Sequence, residues 1–453
     1  MQFIANALGE TGVLWAAVAL FALTYVGMLT FGKYRPYIAC GSAVLFILLG
    51  ILPVSGGGGG PTLWTAIDWN VIMVIAGTMG TVIFFIESKM PARMADFLID
   101  KSPNVMWAVI LLSVFAGIIS AFVDNVATTL MVAPIAVDIS KKLNLSPVPM
   151  VISIAITSNL EGAATLVGDT TSILLGGAAG MNFNDFFYFK PEGFAHAGLG
   201  LFWVNQLALF AATLVLVLVF RKSKQEIHLE EQTKVTDYFP SFLLCATILT
   251  LIIVSMLPTE KVFPAIVTEH MNGIICMGYF LIGLVYYFAV KRDKAILKTC
   301  HQEMDYFTIF TLIGLFCVVS GLVASGAVEL IGGAFAKLGG GNVFVIYTVI
   351  VWFSVFISAF VDNIPYVATM LPVVAVISSQ LNIAPYVLYF GLLCGATLGG
   401  NLTPIGASAN VAGLGILRKE GYEVKAGTFM KISVPYTLTA VMVGYVLVWL
   451  TWK

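Results

Sequence analysis

The chain alternates between long unbroken apolar runs and apolar runs interrupted at their middles by Asp, Asn or clustered Gly. Unbroken runs cover about 13–31, 36–54, 70–88, 199–220, 240–257, 271–290, 306–325 and 432–451. A hydrocarbon core of about 30 Å needs roughly 20 apolar helical residues, so these read as plain spans. Interrupted runs cover 105–123 with 126–140, 148–179, 343–361 with 364–379, and 385–416. Irregular backbone at membrane depth is tolerated only where it is buried in protein or lines a cavity. The pattern predicts an all-α polytopic membrane protein with polar breaks grouped around an interior site.

Two arrangements compete for 105–140 and 343–379: two full spans each, or a re-entrant hairpin that turns at an Asp-Asn pair. Loop charge separates them. With two hairpins, and with 148–179 and 385–416 as single broken spans, the chain makes ten crossings. Placing both termini outside leaves only Lys190, Lys261, Lys337 and Lys453 of the 23 Lys and Arg on the outer face, as the positive-inside rule requires. The two-span arrangement would put the Asp-Asn pairs in water on arms too short to cross.

An internal repeat supports the hairpins. Ser120-Ala-Phe-Val-Asp124-Asn125 recurs letter for letter as Ser358-Ala-Phe-Val-Asp362-Asn363, an offset of 238. The same register matches Pro134 to Pro372, Leu143-Asn144 to Leu381-Asn382, Pro147 to Pro385, Thr165 to Thr403 and Gly168 to Gly406. Each half has five crossings, so the second half is expected upside down relative to the first. Inverted repeats with discontinuous helices at the midplane are a transporter arrangement. The expected organisation is a scaffold part at 1–103, a transport part at 104–221 (hairpin 104–140, broken helix 148–179), and a cytoplasmic linker at 222–239. A second scaffold part at 240–341 and a second transport part at 342–453 (hairpin 342–379, broken helix 385–416) follow. Weakly amphipathic stretches near 91–101 and 328–338 read as interfacial arms, and Gly56–Gly60 as an outer loop.

Composition narrows the chemistry. The 453 residues are 59% hydrophobic and 10% charged, against about 25% charged in soluble domains. Net charge is -1, which gives no bias toward nucleic acid. The 6 Cys and 4 His are scattered, with no C-x-x-C pair, so neither disulfides nor a zinc framework is expected. His196, His228, His270 and His301 read as loop residues without a catalytic role. The N-terminus lacks a basic n-region and reads as a poor cleavable signal peptide.

The breaks hold the candidate site. At the hairpin tips stand Asp124, Asn125, Thr128, Asp362 and Asn363. Asp and Asn are good N-caps, yet carboxylates deep in a bilayer are costly and point to cation binding or proton exchange. The first broken span carries Ser158, Asn159, Glu161, Gly162, Thr165, Asp169 and Thr170; the second carries Thr397, Asn401, Thr403, Ser408 and Asn410. Freed carbonyls there suit Na⁺, and a restarting helix N-terminus suits an anion or neutral oxyacid. No Lys or Arg lies within the interrupted segments at depth, whereas four acids do. An anion is therefore expected to travel with a neutralising cation or as a neutral acid.

These motifs resemble the ion transporter superfamily. SAFVDN with a Pro ten residues after its Asp, SNLEGAATLVGD and GATLGGNLTPIGASAN look most like the arsenite-permease branch, which includes the melanosomal P protein. NhaD-type sodium/proton antiporters and divalent-anion/sodium symporters are more distant. The resemblance implies an elevator mechanism, a homodimer through scaffold spans, and a bacterial inner-membrane location. It also implies sodium or proton sites at Asn125, Asn159, Gly162, Thr165, Asn363, Thr397, Asn401 and Thr403. Na⁺ itself is expected at Asn125, Asn159, Thr165, Asn363, Asn401 and Thr403. The chain departs from related permeases at Gly168-Asp169-Thr170-Thr171-Ser172, where GDPPN is usual, and at Glu161, where Gly is common. The resulting expectation is a non-enzymatic secondary transporter that moves a small inorganic or organic anion or oxyacid, with Na⁺ or H⁺ as coupling ion and no other cofactor. A Na⁺/H⁺ antiporter is the alternative; an anion channel and an intramembrane aspartyl enzyme fit the two opposed hairpins less well.

Overall fold

The computed structural model describes residues 2–54, 62–142, 145–191, 193–194, 196–226, 233–338 and 340–453. The Gly56–Gly60 loop, the Leu143-Asn144 match and His228 lie outside them. The described residues are helical almost throughout, with one short antiparallel ribbon pairing Tyr188–Phe189 with Gly198–Leu199. Among them, six helices are long and apolar enough to cross a membrane: Thr11–Thr30, Trp69–Glu87, Leu201–Phe220, Met271–Val290, Tyr306–Ala324 and Ala426–Trp452.

Two of the plain runs form shorter helices than their apolar length suggests. Arg35–Leu48 stops because Gly50 adopts a left-handed conformation (φ 76°) and the amides of Gly50 and Ile51 turn back onto Ile47 and Phe46, a glycine-closed C-terminus. Phe239–Ser255 ends just before Leu257-Pro258, where proline disfavours helix at its predecessor. His301 is also not in a loop: it lies in the helix Ala295–Glu303, which the low hydrophobicity of the segment hid.

Each interrupted run is a pair of helices around an irregular turn. Val105–Ser120 is capped by Asn104 and followed, across residues 121–124, by Asn125–Lys142. Val343–Ser358 is capped by Asn342 and followed, across residues 359–362, by Asn363–Gln380. Pro134 and Pro372 sit inside the second arms, where each removes one backbone hydrogen bond. The broken runs resolve into Val148–Gly162 followed by Thr170–Ala179, and Tyr386–Gly399 followed by Ser408–Lys419. The stretches 91–101 and 328–338 fall in the helices Met90–Asp100 and Ala327–Leu338.

Glycine sets how closely the plain helices approach. Arg35–Leu48 packs on Tyr306–Ala324, and Met271–Val285 on Trp69–Glu87. A Cβ on Gly314 would lie 2.5 Å from the Ala39 carbonyl carbon, and one on Gly77 would lie 2.4 Å from that of Cys276. Gly321 abuts the Phe46 ring and Gly283 the Phe84 ring. These contacts fall in pairs 237 positions apart, one position fewer than the offset of the tips. Gly77 and Gly314 are so spaced, as are Ala39 and Cys276, Phe46 and Gly283, and Phe84 and Gly321. In the second pair, glycine and phenylalanine exchange helices. The interrupted helices pack across the two halves as well: Ser408–Lys419 lies on Val148–Gly162 and Asn125–Lys142, and Thr170–Ala179 on Asn363–Gln380.

Candidate functional site

Both turns are built the same way. Asp124 Oδ2 accepts from the amides of Val126 (2.9 Å) and Ala127 (3.1 Å), and Asp362 Oδ1 accepts from Ile364 N (3.3 Å). The tip carboxylates thus satisfy helix-start amides that have no intrahelical partner. Thr165 Oγ1 donates to the Ala121 carbonyl, and Thr403 Oγ1, 238 positions on, donates to that of Ala359. Ser172 Oγ donates to Gly162 O (3.5 Å) as Asn410 Nδ2 does to Gly400 O (3.2 Å). Each broken helix is thereby tied to the interhelical turn that precedes it.

Glycine is required at the crossing points. A Cβ on Gly168 would stand 2.6–2.8 Å from the carbonyl oxygens of Gly162, Ser120 and Ala121. One on Gly406 would stand 2.6–2.8 Å from those of Gly400, Ser358 and Ala359. In both places three carbonyl oxygens converge on a bare Cα, next to a threonine hydroxyl and a tip asparagine.

A line of amides joins the halves through the buried interior. Asn125 Nδ2 donates to Asn159 Oδ1 (3.1 Å), and Asn159 Nδ2 donates to Thr397 O (2.8 Å) and Asn401 Oδ1 (3.1 Å). Asn401 Nδ2 closes the line on Ile156 O (2.8 Å). Ser158 Oγ donates to Asn125 O (2.9 Å), and Thr171 Oγ1 lies 3.0 Å from Asp169 Oδ2 and 3.1 Å from Thr397 Oγ1. Buried polar groups cost little when satisfied this way and a great deal when not.

The tips and breaks meet at a cavity of about 40 Å³. Of the residues expected from sequence, Asp124, Asn125, Asn159, Asp169, Thr170, Asp362, Asn363 and Ser408 line it. Ser158, Gly162, Thr165, Thr397, Asn401, Thr403 and Asn410 stand behind that wall, each taking part in the bonds above, and Asn410 Oδ1 has no partner. Thr128 is buried beneath the first tip, where its hydroxyl donates to Val123 O (3.4 Å).

Glu161 departs from expectation. It is fully buried but points away from the cavity, with Oε2 accepting from Gln206 Nε2 (2.5 Å) and Oε1 unpartnered. Two positions beyond Asn159 means about 200° around a helix, so the two side chains face opposite ways.

Several site residues come from outside the interrupted runs. Met79, Asp305 and Thr308 line the cavity. Asp305 caps Tyr306–Ala324 through Thr308 N (2.9 Å). Arg35 Nη1 bonds Asp362 Oδ2 at 2.8 Å, and Ser408 Oγ bonds the same oxygen at 3.3 Å. Tyr25 reaches the second hairpin, with its hydroxyl against Pro365 O and Thr369 Oγ1. The only sequence signal for Arg35 was its place in a short basic loop, which the positive-inside count absorbed. Among the described residues no Lys, Arg or His lines the cavity, so four carboxylates face one another with Arg35 alone reaching in from the side.

The whole helical arrangement has solved counterparts. The YdaH transporter of Alcanivorax borkumensis superposes with a TM-score of 0.57 at 16% identity, over 93% of this chain and 97% of that one. MtrF of Neisseria gonorrhoeae superposes with a TM-score of 0.51 at 15% identity, over 93% and 94%. At this identity the likeness concerns the fold. Among sequence relatives, an uncharacterised transporter of Mycobacterium tuberculosis strain H37Rv is 30% identical over 85% of this chain and 87% of its own length. The P protein of Sus scrofa is 26% identical over 89% of this chain and 56% of its own. The CitMHS description, that of citrate transporters, matches residues 13–395. The chain is an integral membrane protein of the CitMHS citrate transporter family, within the ion transporter superfamily that its tip and break motifs pointed to.

Proposed function

We propose that the protein is a secondary active transporter that carries a small anion through the tip cavity by an elevator movement, coupled to Na⁺ or H⁺. Organic carboxylates of the citrate class are the first solutes to test, given the family. The carrying observation is the convergence of both hairpin turns and both helix breaks on one cavity, held by bonds that match through the repeat. The two halves are read as inverted repeats, with the plain helices as a scaffold that pairs in a homodimer. The interrupted helices travel as one body, because the amide line from Asn125 to Ile156 O ties them together. Termini outside, in a bacterial plasma membrane, complete the reading.

The chemistry supports each role. The carbonyl clusters around Gly168 and Gly406, with Thr165, Thr403 and the tip asparagines, offer the uncharged oxygens that suit Na⁺. A cavity of about 40 Å³ holds a few waters at most, not a tricarboxylate, so the solute enters when the tips part from the scaffold. The four facing carboxylates repel a bare anion, which favours entry with a neutralising cation. The same surplus of carboxylates supports a second reading, Na⁺/H⁺ antiport with no further solute.

Thermal unfolding of the detergent-solubilised protein tests the first reading. Citrate, other small carboxylates and inorganic oxyanions are added in NaCl or in choline chloride. A ligand of the native state raises the transition by mass action. The expected result is a larger shift with one of these anions and Na⁺ together than with either alone. Stabilisation by Na⁺ alone, with none from any anion, would favour the antiport reading instead.

A further inference from the structure

The repeat register that relates the scaffold contacts also relates their ends. It carries Asp68 onto Asp305, and both cap the helix that follows: Asp68 accepts from Val71 N (3.0 Å) and Asp305 from Thr308 N (2.9 Å). It carries Arg35 onto Asn272, a cation onto a neutral amide. Only one of these two ends is at the tip site. Asp305 shares the small cavity with Asp124, and Arg35 holds Asp362. Asp68 and Asn272 line a second, separate cavity of about 870 Å³, which also borders Gly177 and Gly180 at the end of the first broken helix. Gly177 packs directly on Asp68: a Cβ there would stand 2.6 Å from Asp68 Oδ2.

We propose that this larger cavity is the second station of the same transport site. In it Asp68 takes the place of Asp305 and Asn272 that of Arg35. The inference rests on the moving-site reading above. Carried through the same repeat, the contact of Arg35 with Asp362 becomes one of Asn272 with Asp124. The pairing of Asp305 with Asp124 becomes one of Asp68 with Asp362. The stations are then unequal: the one occupied here is closed by an ion pair, and the other offers only an amide. Arg35 and Asp362 are partly shielded, at 23% and 16% exposure, so their pairing is screened less than an open surface pair. Arg35 therefore acts as a latch that biases the resting protein toward the state seen here, and an arriving anion that competes for the guanidinium releases it.

Spin labels on two exposed residues outside the site report the balance. One is placed at Lys298 on the scaffold and the other at Lys419 on the moving body, with Cys40 and Cys245 replaced by serine. Two distance populations are expected, the major one matching this structure. Arg35→Asn removes the latch and should raise the minor population. Asn272→Arg installs the missing one opposite Asp124 and should raise it about fivefold, from a partner worth about 1 kcal/mol; Asn272→Gln should not. If two populations exist but neither Arg35→Asn nor Asn272→Arg shifts them, the proposed stations are wrong and the moving-site reading stands. If one population persists in every variant while solute transport continues, the moving-site reading fails and this proposal with it.

Discussion

Replacing both tip carboxylates, Asp124→Asn with Asp362→Asn, is expected to abolish coupled transport while the protein still folds and inserts. Asparagine keeps the oxygen that accepts from Val126, Ala127 and Ile364 amides, and Asn and Asp rank alike as N-caps. The helix starts therefore survive. The charges do not. Asp362 loses its ion pair with Arg35, and the cavity drops from four facing carboxylates to two, Asp169 and Asp305. Loss of that pair costs the fold about 1 kcal/mol, whereas a coupling cation loses both tip charges that would hold it. Arg35 retains 23% exposure, so its lost partner is replaced in part by water. Uptake into proteoliposomes, beside size-exclusion profiles and thermal unfolding of the same preparations, separates the two effects. Unchanged uptake in the double variant would reduce both residues to helix caps.

The second large effect is expected from a single methyl group. Gly168→Ala or Gly406→Ala places a Cβ 2.6–2.8 Å from three backbone carbonyl oxygens. Those oxygens belong to a hairpin turn and to the helix entering the break, so no flexible side chain can yield. Overpacking of this kind costs about 1–3 kcal/mol and forces the turn away from its broken helix. In a site that reads an ion through those same carbonyls, the loss of coupled transport should exceed the loss of stability. Gly415→Ala is the control, because nothing lies within 4 Å of its added Cβ. Transport and thermal unfolding of the three variants check the prediction. Wild-type Na⁺ or H⁺ dependence in both Gly168→Ala and Gly406→Ala would remove the carbonyl clusters from the coupling site.

Much of this architecture was legible in the residues because a membrane interior punishes irregular backbone. Asp-Asn, clustered Gly and Pro within apolar runs mark places where helices stop in a medium without water. The turns at Asp124 and Asp362, and the breaks after Gly162 and Gly399, could be read from that punctuation. Glu161 misled because motif adjacency is not spatial adjacency: it shares a helix with Asn159 but points to Gln206. Arg35, Asp305 and Thr308 stayed hidden for a different reason. They sit at the ends of plain spans, where a cation or an N-cap is ordinary, and only tertiary packing brings them to the tips. The helix Arg35–Leu48 was overextended because its apolar run continues past Gly50, whose left-handed backbone ends it.

The tip cavity is proposed to carry an anion together with a coupling ion. The most direct test of this is uptake of radiolabelled citrate by the protein in sealed proteoliposomes, under an imposed inward Na⁺ gradient or an imposed pH gradient. A panel of small carboxylates and oxyanions follows by competition. Accumulation of one of these anions above its equilibrium level is expected, lost when an ionophore collapses the gradient. Proton flux driven by the Na⁺ gradient at full rate without any solute, with no accumulation of any anion in the panel, would contradict it.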